Sequence, residues 1–108
     1  MSAENLLVLC TCPDESCAAA LTTGLLEERL AACVNRLPGL RSAYRWRGHI
    51  ERDDEVLLLI KTRAALFREL EATIRRLHPY ETPEIIALPI VAGAADYLDW
   101  IATETGSD

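Results

Sequence analysis

The stretch that decides the fold reads HPYETPEIIALPI and occupies residues 78–90. Pro79 and Pro83 each hold their own φ near about −65° and disfavour the helical region for the preceding residues, His78 and Thr82. A helix that reaches this stretch must therefore end there, and the loop that follows must be stiff. Behind the loop, Ile85 to Val91 form a short apolar run that is typical of a strand. The stretch thus predicts a helix, a stiff loop and a strand in that order.

The segment before this stretch has the pattern of an amphipathic helix. Leu66, Leu70, Ile74 and Leu77 recur at helical spacing, and charged residues occupy the opposite side. Thr62 is a residue type that commonly caps a helix N-terminus. We therefore predict a helix that begins after Thr62 and ends at His78.

Two further apolar runs, residues 6–10 and 56–60, are too short for helices and show no alternation, so we predict strands that are buried on both faces. In the first of them, Cys10 and Cys12 should point to the same side, since side chains alternate along a strand. Pro13 suits the first position of a helix. Apolar residues at helical spacing extend that helix to about residue 28 or 29.

Residues 31–49 resemble a long strand interrupted at Pro38 and Gly39, where a proline indicates an edge or a bulge. The polar residues 48–54 predict a hairpin turn, and residues 55–62 predict the returning strand. Before the turn, Tyr44 and Trp46 alternate with Arg45 and Arg47, so we expect the aromatic residues on one strand face and the arginines on the other. A short helix is expected over residues 94–103, with its Tyr97, Trp100 and Ile101 on one face. The tail, residues 104–108, should fray.

The predicted order is strand, helix, strand, strand, helix, strand and a short C-terminal helix. This is the α+β, ferredoxin-like split βαβ arrangement, here in a single domain spanning residues 1–108. Its two helices cover one face of an antiparallel sheet. Because three predicted strands are apolar on both faces, the second face should also be buried. We therefore expect an obligate oligomer.

The charge and the N-terminal segment limit the possible partners. The chain carries 17 acidic and 11 basic residues, a net charge of −6, which disfavours nucleic acid and favours a cation. Met1 to Asn5 do not resemble the start of a signal peptide, and no run approaches the about 20 apolar residues that span a bilayer. We expect a cytoplasmic protein whose cysteines are thiols, in a spacing unlike that of a zinc finger: Cys10, Cys12, Cys17 and Cys33.

Tyr80, Glu81 and Glu84 lie close to His78 in the sequence and offer groups for general acid–base chemistry. No recognisable nucleophile pattern, phosphate loop or metalloprotease motif accompanies them. The alternative is that Glu81 and Glu84 form ion pairs with arginines of this or a neighbouring subunit. We favour the ion pairs, and expect neither an enzyme nor an organic cofactor.

Several blocks, in this order, resemble the CutA divalent-cation tolerance proteins: ERLAACVN at 28–35, YRWRG at 44–48, VLLLIKT at 56–62, HPYE at 78–81, PEIIALP at 83–89, and Tyr97, Leu98 and Trp100. The similarity extends from Leu6 to Ile101. It implies a cytoplasmic homotrimer of ferredoxin-like subunits, similar in architecture to the PII-type signalling trimers. It also implies a link to tolerance of copper and other divalent cations, without a known reaction.

The resemblance places copper ligands at Cys10 and His78, and thiolate and imidazole both suit copper. Some relatives carry two adjacent histidines where this chain has Leu77 and His78. The alternative is that Cys10 is a buried small hydrophobe and that His78 binds only backbone. Cys12 could supply a third sulfur, whereas Cys17 and Cys33 should serve in packing.

Two functions remain open. One is a metal-responsive trimer that binds copper or another divalent cation. The other is a PII-like regulatory or scaffold trimer whose clefts between subunits receive a small ligand or a partner protein.

Overall fold

The computed structural model describes residues 4–106. Residues 1–3, which belong to the segment compared with signal peptides, lie outside the described residues. Residues 107 and 108 of the predicted tail also lie outside them. The elements are β1 (Asn5–Cys12), α1 (Glu15–Glu27), β2 (Cys33–Trp46), β3 (His49–Arg63), a 3₁₀ turn (Ala64–Leu66), α2 (Phe67–Leu77), β4 (Ile85–Pro89) and α3 (Ala95–Glu104), so the predicted order of strands and helices is confirmed. The four strands form one antiparallel sheet in the order β2-β3-β1-β4.

The core lies between one face of the sheet and the helices α1 and α2. On this face the two central strands pair residue by residue: Val8 with Ile60, Cys10 with Leu58, and Cys12 with Val56. All six side chains are buried, together with apolar residues of α1 and α2. The helices approach closely at Gly24, where an added Cβ would lie 3.0 Å from Cδ1 of Leu77. Burial of this face accounts for the helical periodicity of the apolar residues in α1 and α2.

The other face of the sheet is apolar, and several of its side chains are exposed. Cross-strand pairing brings seven side chains to it, and we call these the open face: Leu7, Leu9, Leu37, Leu57, Leu59, Ile86 and Leu88. Ile86 is 51% exposed and Leu88 is 44% exposed. These strands are thus apolar on both sides, and burial of the open face stays a prediction.

The predicted turn over residues 48–54 is wrong, because β3 begins at His49. Residues 49–54 pair with residues 41–46, and the turn consists of Arg47 and Gly48, both with positive φ, as in a type I′ hairpin. This end of the hairpin extends beyond the core with most side chains exposed, so its polarity resembled that of a loop. Arg47 consequently lies in the turn and does not share a strand face with Arg45. The interruption at Pro38 and Gly39 is confirmed as a shift in strand register.

The helix starts also differ from the predictions. Pro13 is not the first residue of α1, which begins at Glu15. Asp14 caps the helix, and its carboxylate accepts a hydrogen bond from the backbone N–H of Cys17 at 2.8 Å. Thr62 does not cap α2. It lies in β3, where its buried hydroxyl donates to the carbonyl of Leu30 at 2.6 Å. The hydroxyl of Thr62 therefore makes a tertiary hydrogen bond and not the predicted helix cap.

The C-terminal segment is held to the body of the protein as far as residue 106, so this part of the predicted tail does not fray. Arg63 donates to the hydroxyl of Thr105 at 2.8 Å and to its carbonyl at 3.1 Å. Arg29 Nε donates to the carbonyl of Gly106 at 2.7 Å. In α3 only Ile101 is buried, whereas the exposed rings of Tyr97 and Trp100 contact each other with centroids 5.4 Å apart. No helix within residues 4–106 is long and apolar enough to cross a membrane.

Candidate functional site

Three side chains of types that can bind metal ions meet inside the protein at the end of β1. Cys10 and Cys12 point towards the helices from the buried face of the sheet, as the strand period predicts. His78 directly follows α2, and its extended backbone, with φ −84° and ψ 136°, is that expected before Pro79. The two sulfur atoms and a ring nitrogen all lie within 4.8 Å of one another. We call these three residues the thiol–imidazole cluster.

Backbone groups engage both ring nitrogens of His78. Nε2 lies 2.7 Å from the carbonyl oxygen of Thr11, which can only accept, so Nε2 carries the proton. Nδ1 accepts a hydrogen bond from the backbone N–H of Tyr80 at 3.1 Å. The imidazole in this arrangement is neutral and 6% exposed. Its contacts tie the end of β1 to the start of the proline-rich loop, so His78 has a structural role whether or not it binds a cation.

The thiols of Cys12 and of the neighbouring Cys17 hold their protons tightly. The contact with the Cys10 thiol and, secondly, burial raise the pKa of Cys12 well above its ordinary range. Burial, followed by the contact with Cys12, raises the pKa of Cys17 to about 12. Cys17 therefore lies beside the cluster and packs against the core. Because a metal binds the thiolate, a cation must displace these protons, and a soft one is best suited to do so.

A cavity of about 500 Å³ lies next to the cluster. Its wall includes Thr11 and Tyr80, the residues whose backbone groups engage His78. Other lining residues come from the hairpin and the proline-rich loop, among them Tyr44, Trp46, Glu55, Glu81 and Glu84. The residues whose backbone groups hold the His78 ring thus also form part of the cavity wall.

Hydrogen bonds between phenols and carboxylates organise this wall. The hydroxyl of Tyr80 donates to Glu55 Oε2 at 3.0 Å, and burial, then this carboxylate, raises the pKa of Tyr80 above its usual range. The hydroxyl of Tyr44 donates to Asp53, which raises the pKa of Tyr44 to about 12. Both phenols are thus neutral donors at physiological pH.

The structure divides the residues considered for acid–base chemistry between the cavity wall and the thiol–imidazole cluster. Tyr80, Glu81 and Glu84 line the cavity, whereas His78 belongs to the cluster, with its ring centroid 4.8 Å from that of Tyr80. Glu81 forms the expected ion pair with an arginine, Arg47, at 3.3 Å.

Glu55 lines the cavity but was not predicted as a site residue, although its position directly before the apolar run 56–60 indicated that it could be buried. Cys12 was predicted only as a possible third ligand, although its two-residue spacing from Cys10 places both thiols on one side of the strand. Cys33 is half-buried at the start of β2, away from the cluster.

The sequence model of the CutA1 divalent ion tolerance protein family matches residues 6–104. The chain belongs to the CutA1 divalent ion tolerance family. Among curated relatives, the divalent-cation tolerance protein CutA of Thermus thermophilus is 51% identical over 100 residues, which cover 93% of this chain and 97% of the relative.

Solved CutA structures share the fold. A divalent cation tolerance protein (Cut A1) from Thermus thermophilus superposes with a TM-score of 0.93 at 50% identity, covering 94% of this chain and 99% of the other. CutA1 from a psychrotrophic Shewanella species gives a TM-score of 0.95 at 38% identity, covering 99% and 100%. A CutA from Archaeoglobus fulgidus, described as periplasmic, gives 0.90 at 37% identity, covering 93% and 97%. The α+β architecture is therefore that of the CutA family.

Proposed function

We propose that the protein is a cytoplasmic homotrimer that binds copper or another soft cation at Cys10, Cys12 and His78, and that this binding serves divalent-cation tolerance. The observation that supports the proposal is the convergence of two sulfur atoms and one ring nitrogen within 4.8 Å inside the protein. This donor set suits Cu(I) better than it suits a hard cation such as Mg²⁺, which prefers oxygen ligands.

The side chains of the cluster differ in the hydrogen bonds that they must give up before they can bind a cation. The hydrogen bond of the Cys10 thiol is a weak one, to the carbonyl of Thr11 at 3.9 Å. His78 must give up a strong backbone hydrogen bond at either ring nitrogen before that nitrogen can bind a cation. We therefore assign the main part of the affinity to the two thiols and a smaller part to His78.

Anaerobic titration of Cu(I) against a chromophoric chelator tests the assignment. Cys10→Ser and Cys12→Ser should each weaken binding by about 100-fold or more, since even substitutions next to metal ligands cost about 10- to 100-fold. His78→Gln should weaken it less. Cys33→Ser is the matched control and should leave the affinity unchanged. If the double variant Cys10→Ser, Cys12→Ser binds Cu(I) as tightly as the wild type, the assignment is wrong.

The assembly is proposed from the open face and from the hairpin. An apolar sheet face of this extent is typical of an interface. The outer part of the hairpin, residues 41–54, is a two-stranded ribbon, which is marginally stable alone and would be supported by a neighbouring subunit. The stoichiometry of three follows from the family resemblance. Four free thiols suit a reducing compartment such as the cytoplasm.

A second candidate function is that of a PII-like regulatory or scaffold trimer that receives a ligand. The cavity of about 500 Å³ favours it, because small-molecule sites typically have volumes of about 300–1,000 Å³. We propose binding without catalysis for this cavity, since the nearby histidine is directed away from it. A ligand that raises the melting temperature in the absence of metal supports this function, and a ligand effect that disappears on chelation contradicts it.

A further inference from the structure

The cavity beside the thiol–imidazole cluster has an unbalanced charge. Three carboxylates line it, those of Glu55, Glu81 and Glu84, and no lysine or arginine is among its lining residues. Glu81 is partly neutralised by Arg47, but both side chains of that pair are largely exposed, at 73% and 71%. The wall therefore carries more negative charge than the described residues balance.

Glu55 is the least exposed of these carboxylates, at 7%. Tyr80 donates to its Oε2, whereas Oε1 has no hydrogen-bond partner among residues 4–106 and is accessible to solvent. Glu55 also takes part in none of the ion pairs within that range. Oε1 can therefore accept a further hydrogen bond, and the carboxylate lacks a countercharge. A ligand with N–H groups and a positive charge would provide both partners.

The aromatic residues of the wall suit the same kind of ligand. Tyr44, Trp46 and Tyr80 line the cavity, and cations are attracted to the faces of aromatic rings. The protein already shows this type of recognition: the guanidinium carbon of Arg47 lies 5.3 Å from the ring centroid of Trp46, while its Nη2 pairs with Glu81. One aromatic ring and one carboxylate of the wall thus hold an internal guanidinium.

A bare metal ion fits the cavity less well than an organic cation. The thiol–imidazole cluster is the group of metal-binding side chains that converges within residues 4–106, and the cavity carboxylates form no such group. Carboxylates that are spread over a cavity of about 500 Å³ can instead contact different parts of one extended molecule.

We propose that the cavity binds a small organic cation with N–H donors, a primary amine or a guanidine. Its N–H groups donate to Glu55, and its charge lies against the rings of Tyr44 and Tyr80, with Glu84 adding electrostatic attraction. The inference rests on the second candidate function, ligand binding in the cavity, and is independent of metal binding at the cluster.

Calorimetric titration with agmatine, which carries both a primary ammonium and a guanidinium, tests the proposal in chelator-treated protein. We expect saturable binding of one agmatine per subunit, and a loss of about 10-fold or more in affinity for Glu55→Gln, since hydrogen bonds to charged groups are worth about 1.5–3 kcal/mol. Glutamine keeps an acceptor for the Tyr80 hydroxyl. Glu69→Gln removes the same charge from the exposed side of α2 and should leave the affinity within about twofold.

Other outcomes overturn the proposal in distinguishable ways. If citrate or phosphate binds in the cavity and agmatine does not, the ligand class is wrong while ligand binding by the cavity stands. If none of these probes binds, both fail. Tetramethylammonium binding as tightly as agmatine would refute the role of N–H donors. Should Glu55→Gln fail to fold, Glu84→Gln changes an exposed side chain, and an unchanged agmatine affinity in that variant overturns the electrostatic argument.

Discussion

Replacing His78 with alanine should destabilise the protein even when no metal is present. The substitution removes two hydrogen bonds to backbone, one to the carbonyl of Thr11 at 2.7 Å and one from the N–H of Tyr80 at 3.1 Å. Each is worth about 1 kcal/mol, and truncating a side chain that is only 6% exposed leaves unfilled space. We expect a loss of about 3 kcal/mol in the free energy of unfolding.

Urea unfolding of chelator-treated protein, followed by tryptophan fluorescence, measures this loss. Variants must be compared at equal subunit concentration, because the stability of an oligomer depends on it. His49→Ala is the matched control: His49 is the other histidine, is exposed beside the hairpin turn, and should cost less than about 0.5 kcal/mol. If His78→Ala costs no more than His49→Ala, the structural role assigned to the imidazole is refuted.

Three further predictions concern the assembly, the thiols and the C-terminal segment. The double variant Ile86→Lys, Leu88→Lys should sediment near the subunit mass of 12.0 kDa, whereas the wild type should sediment near three times that mass; a monomeric wild type contradicts the assembly. Cys17 keeps its proton in the folded state up to a pKa of about 12, while the unfolded thiol loses it near 9.0, so stability should decrease as pH rises above 9.0. Under reducing conditions Cys17→Ala should make this alkaline decrease shallower, and an unchanged slope would count against the shift. Arg63→Met should cost about 1–3 kcal/mol through its two lost bonds to Thr105, and proteolysis that is no faster near the C-terminus would contradict the anchoring role.

In the proline-rich loop, the local sequence predicts the backbone conformation but not the side-chain contacts. Pro79 makes His78 extended wherever the loop is placed, so the end of α2 was predictable. The ring contacts of His78 were not, because Thr11 lies 67 positions away in the chain. Whether the imidazole faces the cavity or the thiols depends on how β1 packs against the loop.

The hairpin illustrates the opposite case. Its polar residues carry no apolar alternation, since this part of the ribbon covers no core, and the local pattern therefore indicated a turn. Pairing of residues 41–46 with 49–54 makes it a strand instead. Glu55, the next residue of β3, contacts Tyr80, 25 positions later in the sequence, and both line the cavity.

The sequence by itself determined the order of the elements, the apolar character of both sheet faces and the shared side of Cys10 and Cys12. These follow from periodicity and from the backbone limits of proline, which act within a few residues. Only the tertiary structure decided that His78 joins the two thiols and that Glu55 lines a cavity with unbalanced charge. Such contacts join residues that are distant in the chain, and their geometry depends on the packing of the whole sheet against its helices.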